Sequence, residues 1–256
     1  MNNEFISESI KENYGISNKI VKNLDSSVGN VYDVFSDNSR YIVKIYSDLN
    51  HVNRMIQISE ILNNGGIIIP KIIENLNGLK YIGINNYFIV VYEFLKGKNV
   101  SGIINEELIY KIAKEVRKMH DLVDNNDIGL DVVDFNINSD RKSLLHFDLT
   151  KDNILSDDGI IKFIDFDDVK YGDSVIDISI LIALFFFSKK RGVDLKGVKC
   201  FIDSYYGDDI DLKNKEIGFI KKCALKWIND TLKNNEFEIS TTESFEVKKK
   251  LIKEYL

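Results

Sequence analysis

The chain has 256 residues, enough for one large or two modest domains with a substantial core. Its formal net charge of −6 argues against broad nucleic-acid binding, which needs basic surface. Its two cysteines, Cys200 and Cys223, suggest neither a disulfide framework nor a zinc cluster, and its most apolar run, Ile178 to Phe187, is too short to cross a bilayer. A reducing, cytoplasmic setting with no membrane partner is therefore expected, and the opening MNNEFISESIKENYG lacks the basic and apolar regions of a signal peptide.

In chain order, KIVKNL, NVYDVF and RYIVKIY read as three strands between Lys19 and Tyr46, with turns at Ser26–Asn30 and Asp37–Ser39. Asn50 to Asn63 reads as a helix, because Val52, Met55, Ile56, Ser59 and Leu62 recur at helical spacing and NNGG stops it. GLKYIGINNYFIVVYEF reads as a hairpin turning at Asn85-Asn86. Residues 1–95 are thus expected to form an antiparallel sheet with one helix.

After a connector near 94–98 the pattern changes. Glu106 to Leu122 is helical, short apolar strands are expected around Leu144–Phe147 and Ile160–Phe166, and helices near 174–189, 195–206, 212–233 and 242–255. Residues 96–256 therefore read as a mainly helical second lobe, making the fold class α+β with two lobes.

The segment from Asp121 to Asp177 holds fifteen acidic and five basic residues, a net of −10. Carboxylates so concentrated raise one another's pKa unless cations intervene, and a divalent metal is the economical answer. Magnesium takes carboxylate and amide oxygens and completes its shell with water and phosphate. Asp148, Asn153 and Asp165 offer such oxygens beside strand ends, and a hairpin would bring them together. Asp124, Asp127, Asp131, Asp157 and Asp158 read as solvated loop residues.

The run HFDLTKDN fits His-x-Asp-x-x-x-x-Asn, and IDF follows one strand later. With Gly172, Asp173 and Asp177 downstream, LLHFDLTKDNIL…IKFIDFDDVKYGDSVIDIS resembles the aminoglycoside phosphotransferase and choline kinase branch of the protein-kinase-like fold. The resemblance implies Asp148 as the catalytic residue that accepts or orients the acceptor's proton, with Asn153 and Asp165 holding Mg2+. It implies Lys44 on the phosphates of ATP or GTP, paired with Glu60. It further implies the turn with Ser26, Ser27 and Gly29 over those phosphates, and the nucleotide base against the connector at Tyr92 and Phe94. His146 is expected to be a packed structural residue, and Asp173 and Asp177 to hydrogen-bond the catalytic loop.

Phe147 stands where regulated protein kinases usually carry Arg, the DFG glycine is absent, and only six residues separate Asp165 from Gly172. A peptide-docking segment does not fit, so the expected acceptor is a small hydroxylated molecule. The acidic second lobe favours a cationic one: an aminoglycoside, as in antibiotic resistance, with choline, ethanolamine, homoserine or methylthioribose as alternatives. A rival reads FIDFDDV as a haloacid-dehalogenase-like phosphatase loop, with Asp165 as nucleophile and Asp167 as acid. That reading leaves Lys44, Asp148 and Asn153 without work and lacks the strands a parallel crossover needs. A nucleotide-binding pseudokinase is the non-enzyme alternative.

Overall fold

The computed structural model describes residues 3–26, 29–36, 39–100, 104–123, 126–137, 139, 141–234 and 239–256; side chains at 18–20, 25, 26, 29, 30, 239 and 240 are outside the description. The chain divides into two compact units, Met1–Lys96 and Gly97–Leu256.

In the first unit, α1 (Asn3–Tyr14) precedes β1 (Asn18–Ser26), β2 (Gly29–Ser36) and β3 (Arg40–Tyr46), then α2 (Leu49–Asn64), β4 (Ile82–Ile84) and β5 (Tyr87–Glu93). The strands form one antiparallel sheet in the order β1-β2-β3-β5-β4. The β4–β5 hairpin turns at Asn85, whose φ of 55° is a conformation that Asn tolerates well.

Helix α1 corrects the expectation of one helix in this region. Ile6, Ile10 and Tyr14 recur every four residues and join a core with Tyr32, Val34, Val43, Ile89 and Val91. Helix α2 starts at Asp48, whose carboxylate accepts from Asn50 N at 2.9 Å, and it buries Val52, Met55, Ile58, Ser59 and Leu62. Its buried stripe therefore runs through Ile58, and Ile56 is only half-buried.

The second unit opens with β6 (Lys98–Asn99) and α3 (Glu106–Leu122), capped by the Asn105 side chain accepting from Leu108 N at 2.8 Å. Four short strands follow: β7 (Lys142–Leu145), β8 (Ile154–Asp157), β9 (Ile160–Phe163) and β10 (Lys170–Asp173). The two expected apolar strands do not pair with each other: β7 pairs with β10, and β8 and β9 form a hairpin beside β6.

Next come α4 (Val175–Phe186), the small hairpin of β11 (Phe187–Ser188) and β12 (Gly192–Val193), α5 (Leu195–Tyr206), α6 (Ile210–Asn234) and α7 (Ile239–Tyr255). Helix α4 is apolar all round and buried along nearly its whole length, so it is the central helix of this unit. Among the described residues no helix is long and apolar enough to cross a membrane.

Candidate active site

Strand β7 delivers the chain to His146, Phe147 and Asp148. Phe147 adopts φ 65°, a strained value for a bulky residue, and Asp177 holds it there. The Asp177 carboxylate is fully buried and accepts from His146 N at 2.7 Å and Phe147 N at 2.8 Å. Asp177 lies in the first turn of α4, so this acid bonds a neighbouring loop while the N-cap residue of its own helix, Ser174, makes no side-chain cap. Its other partner is the buried His120 ring, with Nε2 at 3.2 Å; His120 Nδ1 lies 2.8 Å from the Tyr205 hydroxyl.

His146 is fully buried and its Nε2 donates to the Ile164 carbonyl at 3.0 Å, while its ring packs on Phe166 at 4.5 Å. It therefore ties the loop to the residue before Asp165 and stands within the fold as a packed residue. Asp173 departs from expectation. It is buried at the end of β10, and among the described residues neither carboxylate oxygen has a hydrogen-bond partner. Burial pushes its pKa up against the pull of Lys142, and the negative charges of Asp134 and Glu216 add to the rise.

Asn153 organises the other side of the loop. Its Nδ2 donates to the Asp148 carbonyl at 2.9 Å and to Asp148 Oδ2 at 2.8 Å. Its backbone carbonyl accepts from Ile164 N at 3.0 Å, at the base of the β8–β9 hairpin. That hairpin brings Asn153 beside Ile164–Asp165, as the sequence suggested, though through a strand, β8, that the sequence reading did not resolve. Asp165 also takes a left-handed φ, 66°.

Burial raises the Asp148 pKa above the ordinary carboxylate value; Asp168 and Asp165 raise it further, against the pull of His146 and the Asn153 hydrogen bond. Asp168 was not singled out from sequence. A divalent cation fits this donor set. With Nδ2 committed to Asp148, the amide oxygen of Asn153 is the atom left to offer, and crowded carboxylates stand beside it. Among the described residues no three His, Cys, Asp or Glu side chains form a metal site by themselves, so a cation held by Asn153 and Asp165 would need water and phosphate oxygens as well.

In the first unit, Lys44 is half-buried on β3, opposite Val31 and Val90. The ion pair expected between Lys44 and Glu60 is corrected. Glu60 is exposed and pairs with Lys80, because the buried stripe of α2 turns it outward. Ser26 and Gly29 pair between β1 and β2; Ser27 lies outside the described residues, as does Asp124. The Tyr92 hydroxyl lies 3.1 Å from that of Tyr46. The Phe94 amide donates to the Arg40 carbonyl at 3.3 Å, and its ring carries the Arg40 guanidinium at 3.7 Å. That guanidinium also makes a two-pronged bond to Asp33 at 2.7 and 2.6 Å.

Residues 129–198, which hold the loop from His146 to Asn153 together with Asp165, Asp173 and Asp177, match the phosphotransferase enzyme family. The whole chain is similar in fold to a spectinomycin phosphotransferase solved with ADP and spectinomycin, at 15% identity over 99% of this chain and 97% of that one, TM-score 0.71. The chain has a kinase-like phosphotransferase fold. An amicoumacin kinase solved with AMP-PNP and Ca2+ shares this phosphotransferase fold at 16% identity, 100% and 94% coverage and TM-score 0.74. An ethanolamine kinase of Plasmodium vivax shares it at 17% identity, 91% and 81% coverage and TM-score 0.64. No curated protein matches the chain in sequence. The phosphotransferase fold disposes of the phosphatase rival, because among the described residues β9 pairs only antiparallel, in a three-stranded sheet.

Proposed function

We propose that the protein is a kinase that moves the γ-phosphate of a nucleoside triphosphate to a hydroxyl of a small molecule. The observation that carries this is the Asp148–Asn153 clamp beside Asp165, built on a loop whose backbone is held by a buried acid. Asp148 orients the acceptor hydroxyl and takes its proton. The new O–P bond forms as the bond from Pγ to the bridging oxygen breaks, and the nucleoside diphosphate leaves. Asn153 fixes the Asp148 carboxylate and, with Asp165, is the set that would hold Mg2+, which neutralises phosphate charge when bound. Lys44 is assigned to the nucleotide phosphates.

For the acceptor, the neighbours named as a spectinomycin phosphotransferase and an aminoglycoside phosphotransferase support the aminoglycoside reading, and the ethanolamine kinase supports a smaller amino alcohol. The electrostatic argument for a polycation is weaker than net charge implies. Asp121 pairs with Arg117 and Arg141, Asp131 with Lys170, Asp157 with Lys162, and Asp177 is bound to backbone. The test is a coupled nucleotide-turnover screen over aminoglycosides, choline, ethanolamine, homoserine and methylthioribose, with and without Mg2+. Turnover with one acceptor, lost in Asp148→Asn while nucleotide binding persists, supports the reading. Unchanged turnover in Asp148→Asn removes Asp148 from its role.

A further inference from the structure

Strand β7 is the stem on which the 146–153 loop is mounted, and by itself it is a weak one. It runs from Lys142 to Leu145 and, among the described residues, pairs with β10 alone. A two-stranded ribbon so short is marginal without further support. The support lies at its two ends. Arg141 stands immediately before β7, and His146 and Phe147 immediately after it. Buried side chains from α3, α4 and α5 join those two ends through the interior of the second unit.

At the near end, the Arg141 guanidinium donates to Asp121 and, through Nη1, to the Tyr205 hydroxyl oxygen at 3.3 Å. The Tyr205 hydroxyl lies 2.8 Å from His120 Nδ1, and His120 Nε2 lies 3.2 Å from Asp177 Oδ2. Asp177 then accepts from the amides of His146 and Phe147 at the far end. The groups at the ends fix the sense of the whole chain, because a guanidinium and a backbone amide can only donate. With Asp177 an acceptor, His120 Nε2 carries the ring hydrogen and donates to it. Nδ1 is then a bare lone pair, which the Tyr205 O–H answers, while the Tyr205 oxygen accepts from Arg141. Burial raises the Tyr205 pKa above the ordinary phenol value, against the pull of Arg141, so the hydrogen this requires stays in place. Ser174 Oγ also lies near this hydroxyl, but outside hydrogen-bonding geometry. The nitrogen of a histidine that carries the hydrogen is set by the bond the other nitrogen makes. Tyr205 therefore decides whether His120 presents a donor or a lone pair to the Asp177 carboxylate.

We propose that Arg141, Tyr205 and His120 are positioning residues for Asp148: one directed chain of hydrogen bonds clasps both ends of β7 and, through the tautomer of His120, fixes Asp177 and the loop that carries Asp148. This rests on the kinase reading for what the positioning serves. All three act through Asp177, whose two amide bonds hold the turn at Phe147.

The test uses the full chain and reads the clasp with and without turnover. In 15N NMR of protein labelled at histidine, His120 should carry its hydrogen on Nε2 and a bare Nδ1. It is one of three histidines, so its signals are the set that His120→Gln removes. Tyr205→Phe keeps the ring that packs on Phe201 and Tyr206, and loses only the hydroxyl. In that variant the Nδ1–H form should appear, and the amides of His146 and Phe147 should exchange about ten-fold faster, the worth of one buried hydrogen bond. Turnover is measured with whichever of the aminoglycosides, choline, ethanolamine, homoserine and methylthioribose is phosphorylated. Tyr205→Phe should lower kcat about ten-fold, with KM for nucleotide and acceptor near the parent's. His120→Leu should lower kcat about 100-fold. His120→Gln offers an amide oxygen to Tyr205 and an amide N–H to Asp177, and should recover about ten-fold of that loss. Should His120→Leu fail to fold, the parent spectrum and Tyr205→Phe decide. A hydrogen on Nδ1 in the parent, unaltered exchange at 146 and 147 in Tyr205→Phe, or equal kcat in His120→Gln and His120→Leu overturns the clasp. The expected spectra and exchange without phosphorylation of any acceptor keep the clasp and remove the kinase reading. Turnover that Asp148→Asn abolishes and that ignores both Tyr205→Phe and His120→Leu does the reverse.

Discussion

Asp177 is predicted to be the residue whose loss does most damage without touching a reactant. Its carboxylate accepts from two buried amides, at 2.7 and 2.8 Å, and from His120. Removing a charged acceptor leaves each buried N–H to bear a penalty of about 1–3 kcal/mol, so Asp177→Ala should cost about 2–6 kcal/mol. That is a large share of the roughly 5–15 kcal/mol that holds a domain folded. Asp177→Asn keeps one acceptor oxygen and should cost about half as much. The loss falls on the turn that holds Phe147 at φ 65°, a strain of about 1–3 kcal/mol. Releasing that turn lets Asp148 swing from its position, so kcat should drop by about 100-fold or more, as a misplacement of about 1 Å does, while nucleotide KM stays near the parent's. Phe147→Gly, placed on Asp177→Asn, should recover about 1 kcal/mol, because glycine adopts positive φ without strain. Urea unfolding gives the stabilities, and turnover of the acceptor found in the screen gives kcat. If Asp177→Asn loses under about 0.5 kcal/mol and retains its turnover, the loop is held by something else.

Asn153→Ala should lower kcat by about 100-fold and raise the Mg2+ needed for half-maximal rate, since it removes both the Asp148 clamp and an oxygen ligand; equal Mg2+ dependence in the two proteins would separate those roles. Chelation of divalent metal should abolish turnover, with recovery on adding Mg2+. Asp173 is buried with its pKa raised, so the native state binds its proton more tightly than the unfolded chain. Its contribution to stability is then full below the unfolded value of 3.8 and is lost as pH rises through its folded pKa. Asp173→Asn should therefore flatten that decline and be as stable as the parent, or more so, at neutral pH, read by urea midpoints across the acid range. Glu60→Gln should change stability by no more than about 1 kcal/mol, the range of an exposed ion pair, and leave nucleotide KM near the parent's.

The sequence was most legible where period and punctuation agreed. Helix α3 has an Asn cap and a clean apolar stripe, and its bounds emerge as the pattern drew them. Strands β8 (ILSD) and β10 (KYGD) were missed because polar residues and glycine fill half or more of each, whereas β7 and β9, equally short, lie in more apolar runs. Helix α1 was missed because its buried side has only three large apolar residues among charges. The Glu60 error was one of phase: counting Ile56 as inward rotated the helix and brought Glu60 towards the sheet, whereas Ile58 takes that place. The 146–153 run stood out because its residues are neighbours in the chain. Arg141, Tyr205 and His120 come from three separate stretches, and no spacing rule links them. His120 gave a faint signal, a polar ring on the apolar face of α3 beside Met119.

Lys248, from α7, donates to the carbonyls of Ala183, Leu184 and Phe187, so the last helix braces the end of the central helix α4 and is no mere appendage. The Lys248 ammonium supplies donors to carbonyls at 183, 184 and 187 that would otherwise end against a buried surface. A protein shortened before residue 239 would lose that plug, and the floor under Phe185 and Phe186 would relax with it. Truncation at the C-terminus should thus be felt first as a loosening of the central helix of the second unit, read by a lower urea midpoint.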